Sequence, residues 1–317
     1  MMMKWGRELT ILAALALLAG YLSLTQPNFR DAFTLSTILT NAAYVGVVGI
    51  GMTMVIVAGQ IDISVGSMLA VCALIAGTLA RAGAPMFLVV LASLALGLGM
   101  GALNGALIAY LRIPSIIVTL ATLTALRGAI VWWTKGYWVM PLPPGWKFLG
   151  TTHILGLPLP VWIGWTAVLA AAYVLAHTII GREVYALGSN PQAARLAGID
   201  TARVTFWVFA LSGLLVGLAT MLHVTRFSMV QTQEGLGLEF LVITAVVVGG
   251  TNIFGGSGTV AGTYLGVLLL TVTSSALTFL GISATWDQAI RGAFILVAVT
   301  ADIVRTGRWR QPVGWAR

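Results

Sequence analysis

Long apolar stretches recur along the whole chain, separated by short polar or glycine- and proline-rich breaks. This pattern limits the fold more than any other feature. The stretches are residues 9–24, 35–58, 63–80, 85–110, 116–134, 161–180, 204–224, 240–250, 260–280 and 286–304. A helix of roughly 20 apolar residues crosses the hydrocarbon core of a bilayer. The pattern therefore predicts an all-α integral membrane protein with about ten transmembrane segments. Residues 240–250 are too short to cross alone. They read as a half-helix or re-entrant piece, which lipid tolerates only where protein or water shelters the backbone. Of the 317 residues, 59% are hydrophobic and only 8% charged, against about 25% charged in a soluble domain. Such a surface needs lipid as its solvent, and no soluble domain interrupts it. Residues 1–317 read as one transmembrane domain. Lys4 and Arg7 ahead of residues 9–24 have the look of a signal peptide, but the run lacks a convincing cleavage site and further spans follow at once, so it is expected to be the first helix.

The net charge of +8 sits at the ends of apolar runs. It is read as a topology signal and as contact with anionic lipid, with no nucleic acid expected. Alternating crossings from a cytoplasmic N-terminus collect Lys4, Arg7, Arg112, Arg182, Arg195, Arg203, Arg305, Arg308, Arg310 and Arg317 on one side. Arg30, Arg81, Lys135, Lys147, Arg226 and Arg291 fall on the other. The positive-inside bias then predicts cytoplasmic N- and C-termini, an outward loop over 135–160 and a cytoplasmic segment over 181–200. The single cysteine, Cys72, excludes an intramolecular disulfide.

Catalysis has little to work with among nine acidic residues and three histidines, His153, His177 and His223. There is no zinc-protease pair, nucleophile elbow or phosphate-binding loop, so neither an enzyme nor a metal site is expected. A proton relay needs ionisable groups inside the spans. Arg127 alone lies well inside one, while Asp62, Asp287 and Arg291 sit at edges.

Three segments stand out. Ala58-Gly-Gln-Ile-Asp-Ile-Ser-Val-Gly-Ser67 places Asp62, Ser64 and Ser67 between two apolar runs. Each is suited to cap the following helix, and a direct part in a solute path is the alternative. Residues 181–200 contain the break Gly188-Ser189-Asn190-Pro191. Ser189 or Asn190 is expected to cap a short helix with Pro191 at its first position, carrying Gln192, Ala193 and Arg195 and ending at Gly198. Val248-Gly-Gly-Thr-Asn-Ile-Phe-Gly-Gly-Ser-Gly-Thr259 is too glycine-dense for an ordinary loop. Gly249, Gly250, Gly255, Gly256 and Gly258 point to tight turns and close helix packing beside a cavity. The string Thr53-Met-Val-Ile-Val-Ala-Gly59 is echoed by Thr244-Ala-Val-Val-Val-Gly-Gly250; this is either an internal repeat of the kind common in transporters or the convergence of apolar helices.

These three segments, with Asn104-Gly-Ala-Leu-Ile-Ala-Tyr-Leu-Arg-Ile-Pro114 and the following Thr119 to Thr122, resemble the permease subunits of ribose-type ATP-binding-cassette importers. The resemblance runs along almost the whole chain, and the stretch 112–128 is most similar to the rhamnose and autoinducer-2 branch. Gln60 stands where that family usually has a second glycine. The resemblance implies a multi-pass permease of the bacterial cytoplasmic (inner) membrane. It implies three protein partners: a cytoplasmic ATPase that holds the ATP, a second permease subunit, identical or paralogous, and a periplasmic or lipid-anchored solute-binding protein. This chain would then bind no cofactor of its own. Residues 188–193, Arg195 and Gly198 would couple to the ATPase. A path for a sugar or sugar-like solute would use neutral hydrogen-bonding groups, the candidates being Asn41, Asn104, Thr119, Thr122 and Thr244, with Asp62 and Ser64 of the 58–67 segment as further path candidates. A stand-alone secondary sugar carrier or facilitator is the alternative.

Overall fold

The computed structural model describes residues 5–283 and, beyond them, residues 286, 289, 290, 292–294, 296, 297 and 300. The expected tenth span, 286–304, and the charged residues Lys4, Asp287, Arg291, Arg305, Arg308, Arg310 and Arg317 lie largely or wholly outside the described residues, as do the expected positions of both termini.

The described chain is mainly helical: α1 (Trp5–Thr25), α2 (Ala32–Val57), α3 (Val65–Arg81), α4 (Met86–Ala109), α5 (Ser115–Thr134), α6 (Phe148–Thr151), α7 (Leu159–His177), α8 (Ile179–Ser189), α9 (Pro191–Leu196), α10 (Thr201–Val224), α11 (Leu238–Val248) and α12 (Val260–Phe279). A two-residue hairpin, His153–Ile154 with Leu157–Pro158, interrupts the loop before α7. Among the described residues seven helices are long and apolar enough to cross a membrane: α1, α2, α4, α5, α7, α10 and α12.

The remaining two apolar helices are shorter. At 1.5 Å per residue, the 11 residues of α11 extend about 16 Å, half of a hydrocarbon core. This agrees with the short run seen at 240–250. The run at 63–80 has the length of a full span in sequence, yet α3 has 17 residues, and its first turn lies against the start of α11. A Cβ on Gly66 would collide with the Gly235 carbonyl and the Glu239 carboxylate. The two short helices thus begin side by side, inside the protein.

Helix α2 is the axis of the bundle. From Ala42 onward it is largely apolar on all sides, which suits a helix surrounded by other helices, and an 18-residue apolar stretch of it is 89% buried against 11% for that of α1. It packs against α7, α10, α11 and α12. The tightest pair is α4 with α10, where Gly97 and Gly101 of α4 bring the backbone onto Gly213 and the Phe209 carbonyl of α10. Lipid gives no hydrophobic drive for helices to pair, so contacts of this kind carry the association. Ser93 adds a hydrogen bond from Oγ to the Gly217 carbonyl at 2.8 Å. One end of the bundle holds the C-terminus of α2 together with α8, α9 and the start of α10. The opposite end is closed by the 135–158 loop, where buried Trp146 donates its indole N–H to the carbonyls of Val224 (3.2 Å) and Phe227 (3.1 Å).

Candidate functional site: a junction of three breaks

The three segments singled out in sequence meet at one point. Helix α2 ends with the N–H of Gln60 bonded to the Val55 carbonyl (3.0 Å) and that of Gly59 to Ile56 (2.9 Å). Helix α11 ends in the same way, with Thr251 N–H to Val246 (3.1 Å) and Gly250 N–H to Val247 (2.9 Å). Both are left-handed glycine terminations, with φ of +77° at Gly59 and +93° at Gly250. The sequence echo between 53–59 and 244–250 is therefore an echo in backbone geometry.

Two loops follow these terminations, and they touch across the end of α8. Gly256 N–H donates to the Val57 carbonyl at 2.9 Å. Gly188 lies so close to that same carbonyl that a Cβ would overlap it, and would also come within 2.7 Å of Gly256 N. A Cβ on Gly255 would approach the Gly59 Cα to 2.9 Å. Backbone therefore meets backbone from α2, α8 and the glycine-rich loop, with no side chain between them. Tyr185, one turn earlier on α8, donates its hydroxyl to the Gly258 carbonyl at 2.7 Å, and burial pushes that phenol above its ordinary pKa.

Asn190 follows, and its side-chain Oδ1 accepts from the N–H groups of Gln192 and Ala193, each at 3.0 Å. Pro191 occupies the first position of α9, as the spacing predicts. The helix closes at Gly198, whose φ is +83°. Only Ala194 of α9 is buried; Pro191, Gln192, Ala193, Arg195 and Leu196 face out, Leu196 with 90% of its surface exposed. Arg195 Nε donates to Thr201 Oγ1 at 2.9 Å, tying α9 to the start of α10. Beneath α9 an open cavity of about 960 Å³ is bounded by Gly59, Gln60, Pro114, Gly188, Pro191 and Phe254.

From the junction the chain runs directly into a buried polar network. Asp62 Oδ1 accepts from the Ser64 N–H (2.9 Å) and the Ser64 hydroxyl (2.6 Å). Asn104 of α4 donates Nδ2–H to Ser64 Oγ (3.0 Å), and Thr122 of α5 donates to Asn104 Oδ1 (2.6 Å). Every donor in this chain points toward the Asp62 carboxylate, so the bonds polarise one another in a buried setting. Ser115 Oγ accepts the Ile61 N–H at 3.3 Å, and Thr119 bonds back to the Ser115 carbonyl while lying 3.5 Å from that of Ile61. The expected capping of α3 differs in detail. Asp62 holds Ser64 one residue before the helix, Ser67 donates to the Ser64 carbonyl (2.7 Å), and Ser64 makes no side-chain cap. Among the described residues Asp62 Oδ2 has no hydrogen-bond partner.

Five of the seven polar residues named as path candidates, Asp62, Ser64, Asn104, Thr119 and Thr122, thus gather around one loop. The other two lie elsewhere. Asn41 Oδ1 accepts from Arg226 Nη1 at 2.6 Å at the opposite end of the bundle. Thr244 donates to the Phe240 carbonyl within α11. Sequence reading missed Val57, Tyr185, Ser115 and Phe254. An apolar or aromatic residue inside a helix or loop carries no sign that its backbone or edge is a contact point; only the hydroxyl of Ser115 at a helix start offered one. Among the described residues no group of histidine, cysteine, aspartate or glutamate could hold a metal ion.

Comparison with known proteins bears on this geometry. Residues 34–299 match the family described as branched-chain amino acid transport system / permease component. The chain is 38% identical over 297 residues to the autoinducer 2 import system permease protein LsrC of Salmonella typhi, covering 94% of this chain and 86% of that protein. It is 37% identical over 305 residues to the ribose import permease protein RbsC of Escherichia coli (strain K12), covering 94% of both. No solved structure matches it.

Proposed function

The chain belongs to the branched-chain amino acid transport system / permease component family, and on that premise we propose that it is the membrane-spanning subunit of an ATP-driven importer for a sugar or sugar-like solute. Its relatives are transport permeases of ribose and autoinducer 2 import systems, and the chain is a multi-pass membrane protein. In this reading the end bearing α9 faces the cytoplasm of a bacterium, the membrane is the inner one, and both termini lie on the cytoplasmic side.

The observation that carries the reading is the junction of Gly188, Val57 and Gly256. An exposed short helix, capped at both ends, stands on backbone that is continuous with the core helix α2. A force on α9 has no compliant side chain in which to dissipate, and the Val57 carbonyl receives it directly. The loop beyond Val57 carries Asp62, so displacement at the junction is passed to α3, α4 and α5 through Ser64, Asn104, Ser115 and Thr122. A solute gate needs two packings whose balance each face of the membrane biases differently. The Asp62 network is the element that exchanges partners between them, and Asp62, Ser64, Asn104, Thr119, Thr122 and Thr244 border the path when it opens. The energy comes from a separate cytoplasmic ATPase docked on residues 188–198. A second permease subunit completes the pathway, and a periplasmic or lipid-anchored binding protein delivers the solute.

Reconstitution with and without the ATPase tests this. The expected result is a stable complex of permease and ATPase, with solute accumulation in liposomes only when ATP is hydrolysed. Downhill uptake by the isolated chain, without ATP and without a bound ATPase, would instead make it a stand-alone carrier.

A further inference from the structure

Helices α4 and α10 run antiparallel, and their close approaches advance turn by turn along one seam. Gly97 meets the Gly213 carbonyl, Gly101 that of Phe209 and Gly105 that of Phe206. One further turn sets the end of α4 beside the first turn of α10, at the end of the bundle that bears α9. There the ring centroid of Tyr110 lies 5.9 Å from that of Phe206, and Phe206 stands edge-on to Trp207 at 5.4 Å. Arg203 precedes Phe206 and Trp207 by three and four residues, so the three share one face of α10. Leu103, two turns before Tyr110 on α4, carries the exposed strip on toward the middle of the span.

Two arginines flank these rings. Arg203 is exposed, and so is Arg112, two residues past Tyr110. The acidic residue Asp200 is close in sequence, but its Oδ1 caps α10, accepting the N–H groups of Ala202 (3.1 Å) and Arg203 (3.0 Å). Among the described residues neither guanidinium has an ion pair or a hydrogen bond. Arg112 also has a φ of +57°, a left-handed position where glycine costs less, and such outliers cluster where ligands are held. The core beneath the seam, around Ile108 and Phe209, includes no residue after Val260 among those described.

We propose that this seam is a binding site for an anionic phospholipid of the leaflet on the α9 side. The guanidinium groups of Arg112 and Arg203 take the phosphodiester, for which their planar donors are matched. Tyr110 and Trp207 lie at headgroup depth, where amphipathic rings settle, and the acyl chains run along Leu103. Only 22% of the apolar stretch of α4 is buried, so lipid is the natural neighbour of this strip, and a soluble protein could not follow it into hydrocarbon. A zwitterionic lipid carries its own cation beside the phosphate, which the arginines repel; the site therefore selects for net negative headgroups. The location gives the lipid a role. Arg195 of α9 is tied to Thr201, two residues before Arg203, and Tyr110 and Arg112 stand on the rim of the cavity beneath α9. A phosphate held here joins the turn between α4 and α5 to the foot of α10, and so steadies the base on which α9 stands. The proposal concerns the chain in its bilayer and stands whatever the solute is.

Photolabelling tests it. The full chain is reconstituted in phosphatidylcholine vesicles with a trace of phosphatidylglycerol bearing a diazirine in one acyl chain, or of phosphatidylcholine bearing the same chain. Labelled residues are read by mass spectrometry of peptides. The phosphatidylglycerol probe should label the Leu103 and Trp207 segments about fivefold or more above the phosphatidylcholine probe, a preference of the size two interfacial arginines confer. The double variant Arg112→Gln, Arg203→Gln should bring that labelling down to the phosphatidylcholine level. Arg182→Gln, at an exposed arginine of α8, should leave it unchanged. Both variants alter exposed side chains, and size-exclusion chromatography checks that they remain folded. Equal labelling by the two probes, or labelling that the double variant does not reduce, would show ordinary surrounding lipid and overturn the proposal. Labelling of this seam by neither probe would show that protein covers it, and would overturn the proposal as well.

Discussion

The α-carbon of Gly188 rests on the carbonyl oxygen of Val57, although 130 residues of chain lie between the two positions. That oxygen also accepts the Gly256 N–H. A methyl group at position 188 cannot fit without moving either α8 or the end of α2. Overpacking of this kind costs about 1–3 kcal/mol. Gly188→Ala is expected to lower the thermal stability of the purified protein and to weaken coupling, so that ATP hydrolysis continues while solute uptake falls. Parallel measurements of phosphate release and uptake in liposomes check this, and uptake per ATP equal to wild type would refute it.

Asn190 supplies the cap that holds α9 in shape. Loss of such a cap costs about 1 kcal/mol, and aspartate or serine replaces asparagine well. Asn190→Ala should therefore reduce capture of the ATPase, while Asn190→Asp restores it. Affinity purification of the complex from membranes gives the readout. Equal capture by all three chains would remove α9 from the docking surface.

Charge on the exposed face of α9 is a separate matter. Arg195→Glu reverses a charge and removes the bond from Nε to Thr201 Oγ1. Stimulated ATP hydrolysis is expected to drop severalfold, while the detergent-solubilised chain stays folded by size-exclusion chromatography, since single surface ties contribute only about 0–1 kcal/mol.

In the buried network Asn104 serves two neighbours and Thr122 only one. Hydrogen bonds inside membrane proteins average about 0.6 kcal/mol by double-mutant cycles, and a buried group left unpaired costs about 1–3 kcal/mol. Asn104→Leu should thus destabilise more than Thr122→Val, and the double variant less than the sum of the two. Thermal unfolding of the four chains in one detergent forms the cycle, and strict additivity would show that the bonds do not act as a unit.

Trp146 anchors the 135–158 loop through two carbonyls at the far end of the bundle. Trp146→Phe keeps an aromatic ring and loses the donor, leaving Val224 and Phe227 without it. Faster cleavage of this loop in limited proteolysis is expected, with α9 unaffected.

Much of this could be read before any coordinates. The short helix α11 follows from an apolar run of too few residues at 240–250, and both caps of α9 follow from Asn190-Pro191 and Gly198, because caps depend on residues within one turn of each other. The likeness of 53–59 to 244–250, open in sequence between an internal repeat and the convergence of apolar helices, is in the structure a likeness of two helix ends. The run at 63–80 misled: its apolar length conceals that α3 starts inside the protein, where Gly66 meets Gly235 and Glu239. Hydropathy measures length, and burial depth depends on which element lies opposite. Five polar candidates converge on the 61–64 loop, yet nothing in their separate segments says that Thr122, Asn104 and Ser64 form one chain, or that Asn41 stands at the other end beside Arg226.

The amino-acid sequence by itself determined the membrane as solvent, the approximate ends of the long helices, and the places where the backbone must break. Each depends on composition or on neighbours within a few residues. Tertiary structure alone decided that the three breaks share one junction, that five of the polar candidates gather around the 61–64 loop, and that Asn41 stands at the opposite end of the bundle. Those outcomes depend on helices approaching until backbone meets backbone, a long-range packing event for which glycine is necessary but names no partner.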